Sequence, residues 1–417
     1  MGRHPILTES LLKTGEAFRR TASYLANNEF RSAVFSTLGG IFMKRKFFAL
    51  LTALCLLVCI SLPAGATSPI DSSPANFVFE QISAIASTIP NCPWNESTTI
   101  STTTTLFNLD GIPNGYIFNL LTDDAESGFI QIHDIDGSYS IYCYAFDGHS
   151  EVDSMANYWG YDLSDTEIYF LGSFKYAIAT DSGYLNLASN APIDIGDETV
   201  QTNAIAYAEQ VSVDPLIIDD AEPSMESGIM PLGSDDDFYW PITDDFKNLS
   251  ISYNGKTHNG MHDHCTPTAA TGIFRYLTHL GKTSCTSGES TNKTFEKLYI
   301  SLNTNNISFS SFVSVGTARN QIDVGLRSYA SGNNCSFDIE RSSFNTLSSM
   351  KDHLDRGRLL LISVDDFGDP AVDHSIVATG YSSNSLYIQN GWSRNRIMYS
   401  YSSLDIAQYV YISPLPW

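Results

Sequence analysis

Charge is what this sequence has least of. Only 17% of its 417 residues are Asp, Glu, Lys or Arg, below the roughly 25% of an average soluble chain. Basic residues are the scarcer kind, 23 against 46 acidic ones, for a net charge of −23. No basic stripe interrupts this balance. Nucleic acid and anionic membrane are therefore not expected partners. A run long enough to span a bilayer is also missing. The one strongly apolar segment, Phe47 to Leu62, has sixteen residues, where a spanning helix needs roughly 20. Nor is any internal repeat evident.

The apolar segment instead reads as a secretory signal. Lys44, Arg45 and Lys46 precede it, and Ala64-Gly65-Ala66 follows as a small-residue cleavage site. Residues 1–66 are thus expected to be a leader with translation starting at Met43, since 1–42 have no counterpart in a signal peptide. The expected localisation is secreted, with no membrane attachment after cleavage. Residues 67–417 keep 15 Lys/Arg against 43 Asp/Glu, a balance of −28, which suits a soluble exported protein.

Cysteine is sparse, and its count is odd. Cys55 and Cys59 leave with the signal, so Cys92, Cys143, Cys265, Cys285 and Cys335 remain. In an oxidising compartment four of these can pair. The pairs that respect the domain division below are Cys92 with Cys143 and Cys285 with Cys335, leaving Cys265 as the free thiol. Sequence alone does not fix that connectivity.

What is present is a foldable chain, 43% hydrophobic and 12% aromatic, long enough for two domains. STTISTTTT, Ser97 to Thr105, reads as an exposed loop or ragged strand. GYIFNLL from Gly115, GFIQIH from Gly128 and SYSIYCYAF from Ser138 are short apolar runs between Asp/Gly turns. They predict an antiparallel meander, and IYFLGSFKYAI, Ile168 to Ile178, adds two strands. Residues 67–213 are therefore expected to form a mostly β domain. Residues 214–237 combine three prolines with a dense set of acids and read as a linker open to nicking.

Residues 238–417 predict an α+β domain. Pro267 suits a helix start, Ala269 to Leu280 carry apolar residues at spacings of three and four, and Gly281 ends the helix. RLLLISV (Arg358–Val364), SIVATGY (Ser375–Tyr381) and LYIQN (Leu386–Asn390) read as three strands.

Chemistry centres on HDHCTPTAATGIFRY, His262 to Tyr276. A cysteine just before a helix sits where the helix dipole favours a thiolate and lowers its pKa. The plainer reading, a small buried cysteine, fits poorly beside the polar run Asn259, Gly260, His262, Asp263 and His264. A thiolate nucleophile needs a base, and the base an orienting partner. His133, His149, His279 and His353 read as structural, whereas His374 stands directly before a strand. Asn390 follows on the next strand, and a turn centred on Ser382 would set the two opposite each other. The amide oxygen of Asn390 would then accept from the imidazole, with Trp392 shielding that bond. The plain alternative for Asn390-Gly391 is a turn.

Cysteine in CTPTAATGIFRY, histidine in VDHSIVATGY and asparagine in YIQNGWS, in that order, resemble the papain-like cysteine peptidases. The run after Cys265 is most similar to the secreted bacterial streptopain-like and C39-like members, and residues 115–180 resemble the prodomain that precedes their catalytic domain. The resemblance implies a helix bearing Cys265 packed on an antiparallel sheet, with Cys265 as nucleophile, His374 as general base and Asn390 orienting it. It also implies an amide six residues before the nucleophile, here Asn259, in the oxyanion hole. Thr266 stands where relatives often have Gly or Ser, near the substrate path. The expected substrate is a protein or peptide, the expected latent-state partner is the chain's own prodomain, and no cofactor is implied.

Other readings remain open at this level. A cell-wall amidase or transglutaminase-like acyl transferase shares Cys and His in this order. An inactive homologue would persist as a secreted binding protein. In place of a prodomain, the N-terminal domain would be an independent binding module fused to an enzyme. A metal site from His262, His264 and Cys265 would lack a fourth ligand.

Overall fold

Most of the described strands are joined into one large sheet that runs through both halves of the chain, and two separate hairpins make up the rest. A computed structural model describes residues 73–89, 91–135, 137–213, 238–259, 263–305, 308–309, 312–313, 316–342, 344–366 and 369–415. All fall within one unit, Asp71–Trp417. The expected leader, the acidic segment 214–237 and His262 lie outside the described residues.

The N-terminal half opens with α1 (Pro74–Thr88), capped by Ser73 with Pro74 at its first position. The meander follows as β1 (Thr99–Phe107), β2 (Pro113–Thr122), β3 (Ala125–Ile135) and β4 (Ser138–Ala145). The threonine-rich run is thus a strand, paired along its length with β2. Helix α2 (Glu151–Trp159) starts on a Ser150 cap and stops at Gly160, whose φ of +79° suits glycine. Then come β5 (Ile168–Gly172), β6 (Lys175–Thr180), β7 (Gly183–Asn186), β8 (Ala191–Ile193) and α3 (Glu198–Val213).

The C-terminal half contributes β9 (Ser250–Tyr253), β10 (Lys256–Asn259), α4 (Cys265–His279), α5 (Thr291–Ser301), the short β11 (Ser308–Phe309) and β12 (Phe312–Val313), and α6 (Arg319–Gly332). After these come β13 (Phe337–Arg341), α7 (Leu347–Asp355), β14 (Leu359–Asp366), β15 (Asp369–Tyr381), β16 (Ser385–Gln389), β17 (Ile397–Ser400) and β18 (Ile406–Pro414). The result is a mixed α/β architecture in which helices pack on a large, mainly antiparallel sheet.

Fourteen strands lie in the order β13-β18-β14-β15-β16-β17-β4-β3-β2-β1-β5-β6-β7-β8. The halves meet where β17 pairs with β4, Met398 opposite Tyr144 and Tyr399 opposite Cys143. Strand alternation sends side chains to opposite faces, and both faces are buried here. Leu360, Ile362, Val364, Ile376 and Ala378 join Ile117, Phe129, Tyr142, Tyr176 and Tyr399 in one cluster. Leu359, Leu361 and Val377 point the other way, beneath Ala270, Ile273, Phe274 and Leu277 of α4. Burial on both faces explains why RLLLISV reads as a continuous apolar run. The division into an N-terminal β domain and a separate C-terminal domain therefore meets a core shared by both halves.

One expected cysteine pair forms and the other does not. Cys285 and Cys335 are bridged, whereas Cys92 and Cys143 are both free thiols. Cys143 points into the shared core among buried side chains, while Cys92 packs on the opposite cluster with Trp94. The loop after α1 that carries Cys92 and the strand that carries Cys143 thus present the two thiols to different clusters. Among the described residues no helix is long and apolar enough to cross a membrane.

Candidate active site

Cys265 is the first residue of α4, two positions earlier than Pro267 had suggested. The helix buries nearly its whole circumference, from Thr266 through Leu277, because small residues let its neighbours close in. At Gly272 an added Cβ would lie 2.8 Å from the Trp240 ring. The first turn docks on β15, where Thr266 Oγ1 and Ser375 Oγ are 2.8 Å apart. Thr266 is only 3% exposed, so it braces the helix and does not line a substrate path. Gly281, at φ +66°, follows the helix end as expected.

The thiol does not behave as its helix position alone would suggest. Cys265 is partly exposed, yet it is densely surrounded. Burial pushes its pKa up, the Asp263 carboxylate adds to the rise, and hydrogen bonding to Ser375 and Thr266 only partly offsets it. Burial together with the Asp263 carboxylate thus favours the neutral thiol.

His374 lies one residue before Ser375, and strand alternation turns it toward the other face. Its ring packs on Phe174, centroids 5.3 Å apart, and Phe174 in turn meets Tyr399 at 5.2 Å. No described contact joins the ring to the Cys265 thiol. His374 Nε2 donates to the main-chain carbonyl of Asn390 at 2.7 Å. A carbonyl can only accept, so the proton sits on Nε2 and Nδ1 is the basic nitrogen. Burial lowers the His374 pKa to about 4, against a smaller upward pull from the Asn390 carbonyl.

Asn390 itself differs from expectation in two ways. Strands β15 and β16 pair two to three residues out of the expected register: Val377 lies opposite Gln389 and, past an irregularity between Ala378 and Gly380, Tyr381 lies opposite Leu386. The turn closes between Ser382 and Ser385. The Asn390 side chain then points away from His374. Its Oδ1 accepts from the N–H groups of Trp392 at 2.9 Å and Ser393 at 3.0 Å, and Gly391 takes φ +80° to let the chain turn. The side chain clamps a turn, and the main chain of that turn meets the histidine.

The remaining amide group of Asn390 reaches into the N-terminal half, where Nδ2 donates to Glu151 Oε2 at 3.3 Å. Glu151 and Asn390 are both 0% exposed. Tyr399 Oη also donates to Oε2, at 2.7 Å, and Tyr176 Oη donates to Oε1. Burial raises the carboxyl pKa, and the hydrogen bonds from Tyr176, Tyr399 and Asn390 oppose that rise. Sequence reasoning missed Glu151 because an acid following a serine cap is ordinary first-turn chemistry. Phe174 gave no signal either.

Trp392 is buried and packs edge-on to Tyr158 of α2, 5.7 Å away. Its backbone, held by Asn390, is what ties it to the site. The following Arg394 forms two bonds to Asp245, at 2.9 and 2.6 Å, and one to the Trp240 carbonyl at 3.0 Å. Asn259 ends β10, exposed, with its Oδ1 accepting from Ser250 Oγ at 2.5 Å. No described contact brings it to Cys265. His264, the helix cap residue, is buried with Nδ1 2.9 Å from Thr268 Oγ1 and its ring against Phe295.

The arrangement is a helix-borne thiol beside a strand whose histidine has a defined tautomer. Comparison with curated proteins yields no match. Residues 248–413 match the family model described as Peptidase_C39 like family, so the segment that carries Cys265, His374 and Asn390 is similar to peptidases of that kind.

Proposed function

We propose that this protein is a secreted cysteine endopeptidase made in a latent form. The observation that carries the reading is the docking of the first turn of α4 on β15, which sets Cys265 beside Ser375, next in sequence to His374. The family match over 248–413 supports a peptidase.

In the proposed reaction the His374 ring, which no described contact joins to the thiol in this latent arrangement, turns to it once Phe174 withdraws. Nδ1 then takes the thiol proton as Cys265 Sγ bonds to the peptide carbonyl carbon. The N–H at the head of α4 stabilises the oxyanion, and the Asn259 amide, which no described contact brings to Cys265 in this structure, is the proposed second donor when it turns to the site. Collapse breaks the C–N bond, and His374 returns the proton to the leaving amine. Water, deprotonated by the same ring, then attacks the thioester, releasing the acid and restoring the thiol.

Two observations support latency. With the thiol pKa raised and the imidazole at about 4, the pair is neutral at physiological pH. Phe174, in the two-residue turn between β5 and β6, lies against the His374 ring, held there by a turn φ of +58° that is unusual for a bulky residue. Cleavage within 214–237 is the proposed trigger that lets Phe174 withdraw. The test compares casein hydrolysis by residues 67–417, before and after a trace protease cuts the linker, with the Cys265→Ala and His374→Ala variants. Loss of the base is expected to slow turnover roughly 10²–10⁴-fold. Equal rates in all three would reject the reading.

A further inference from the structure

The N-terminal half does more than cover the site. Three donors converge on the Glu151 carboxylate, and two of them, Tyr399 Oη and Asn390 Nδ2, come from the C-terminal half. The third, Tyr176 Oη, lies on β6 and is also 3.2 Å from Gln131 Oε1. Gln131 Nε2 in turn is 2.9 Å from His133 Nε2. A continuous buried polar chain thus leads from the middle of the N-terminal sheet to the turn that presents the Asn390 carbonyl to His374. The Asn390 amide has both ends committed: Oδ1 closes its own turn, and Nδ2 is fixed by Glu151.

We propose that Glu151 is a positioning residue of the active site, acting on His374 through Asn390, and that the N-terminal half is consequently a permanent part of the enzyme. The proposal rests on the peptidase reading above. Departure of this half would also strip one face of Leu360, Ile362, Ile376 and Tyr399 and leave the Asn390 amide facing water. Activation then moves the Phe174 tip and leaves the sheet intact.

Substitution separates positioning from support. Glu151→Gln keeps an oxygen for Asn390 and Tyr399, while the Tyr176 hydroxyl can turn to Gln131. Glu151→Ala removes the acceptor, and Glu151→Asp withdraws it by one methylene if the alanine variant does not fold. Tyr176→Phe removes a Glu151 partner without touching Asn390. In the linker-cut full chain, we expect turnover on casein to fall roughly 10–100-fold in Glu151→Ala or Glu151→Asp, with KM little changed. Glu151→Gln should stay near wild type, and Tyr176→Phe, which leaves Glu151 two of its three donors, should melt earlier and lose less turnover than Glu151→Ala. Losses in Tyr176→Phe equal to those in Glu151→Ala or Glu151→Asp, or full turnover in the latter two, would overturn the proposal. So would release of the N-terminal half on a sizing column with full activity left on the C-terminal fragment.

A second readout distinguishes failure of this proposal from failure of the peptidase reading. Iodoacetamide labelling of Cys265, located by peptide mapping, should depend on His374 in the cut chain. If His374→Ala labels like wild type and casein stays intact, the peptidase reading falls and this proposal with it. If labelling depends on His374 but ignores Glu151, only the role of Glu151 is rejected.

Discussion

At the residue scale, Asn390 shows how one side chain can serve a catalytic group it does not touch. Its amide holds the turn, and its carbonyl, which every residue carries, meets His374. Asn390→Ala therefore keeps the acceptor and loses the clamp. We expect it to slow turnover by roughly 10–100-fold, at least as much as Glu151→Ala because it also cuts the Glu151 link, and less than His374→Ala. It should also destabilise the fold by about 1–3 kcal/mol, because the Trp392 and Ser393 N–H groups lose a buried acceptor. Side-by-side kcat values and urea midpoints check both parts. A loss equal to that of His374→Ala would mean that the amide side chain, and not the carbonyl, orients the ring.

At the scale of elements, the Cys285–Cys335 bridge ties the segment between α4 and α5 to the chain just after α6, across a separation of 50 residues. Its chain-entropy contribution is on the order of 4 kcal/mol. Replacing both cysteines by serine should lower the urea midpoint accordingly while leaving Cys265 in place, and an unchanged midpoint would show that packing alone fixes these helices. The legibility of the elements followed their patterning. The strands at 115–121, 128–133 and 138–146 and the helix ending before Gly281 were readable because alternation, three-four spacing and turn residues are local signals. The Cys285–Cys335 pair also lay within the expected set. Three things were not readable. The threonines of β1 gave no apolar period, the β15–β16 register depends on an irregularity near Gly380 that no motif announces, and the junction of β4 with β17 is a contact between residues about 250 apart in sequence. The site was legible as residue types and chain order. The use of the Asn390 main chain, the Glu151 contact and the Phe174 cover arise only when both halves share a core.

For the whole molecule, the shared core makes stability acid-sensitive in a defined window. His133 and His374 are held neutral by burial, with pKa values of about 3 and about 4 against an ordinary 6.5. The unfolded chain therefore takes up protons first as pH falls below 6.5, and stability drops until the folded values are passed. The loss is on the order of 5 kcal/mol for the buried His133, complete only below pH 3, and about 2–3 kcal/mol for His374 after allowing for its partial exposure. Glu151 acts in the opposite sense: its raised pKa reflects a burial cost that protonation relieves at lower pH. Melting temperature should thus be level above about pH 7 and fall between 6.5 and 4. A rise across that window would contradict the neutral assignment of the two histidines.

The measurement that bears most directly on the whole account is the rate of casein hydrolysis by linker-cut 67–417 beside its Cys265→Ala variant, under mild reducing conditions. The account predicts steady hydrolysis by the wild type and none above background by the variant, with the two cut halves still eluting together. Equal rates, or no hydrolysis by either chain after a confirmed cut, would contradict it.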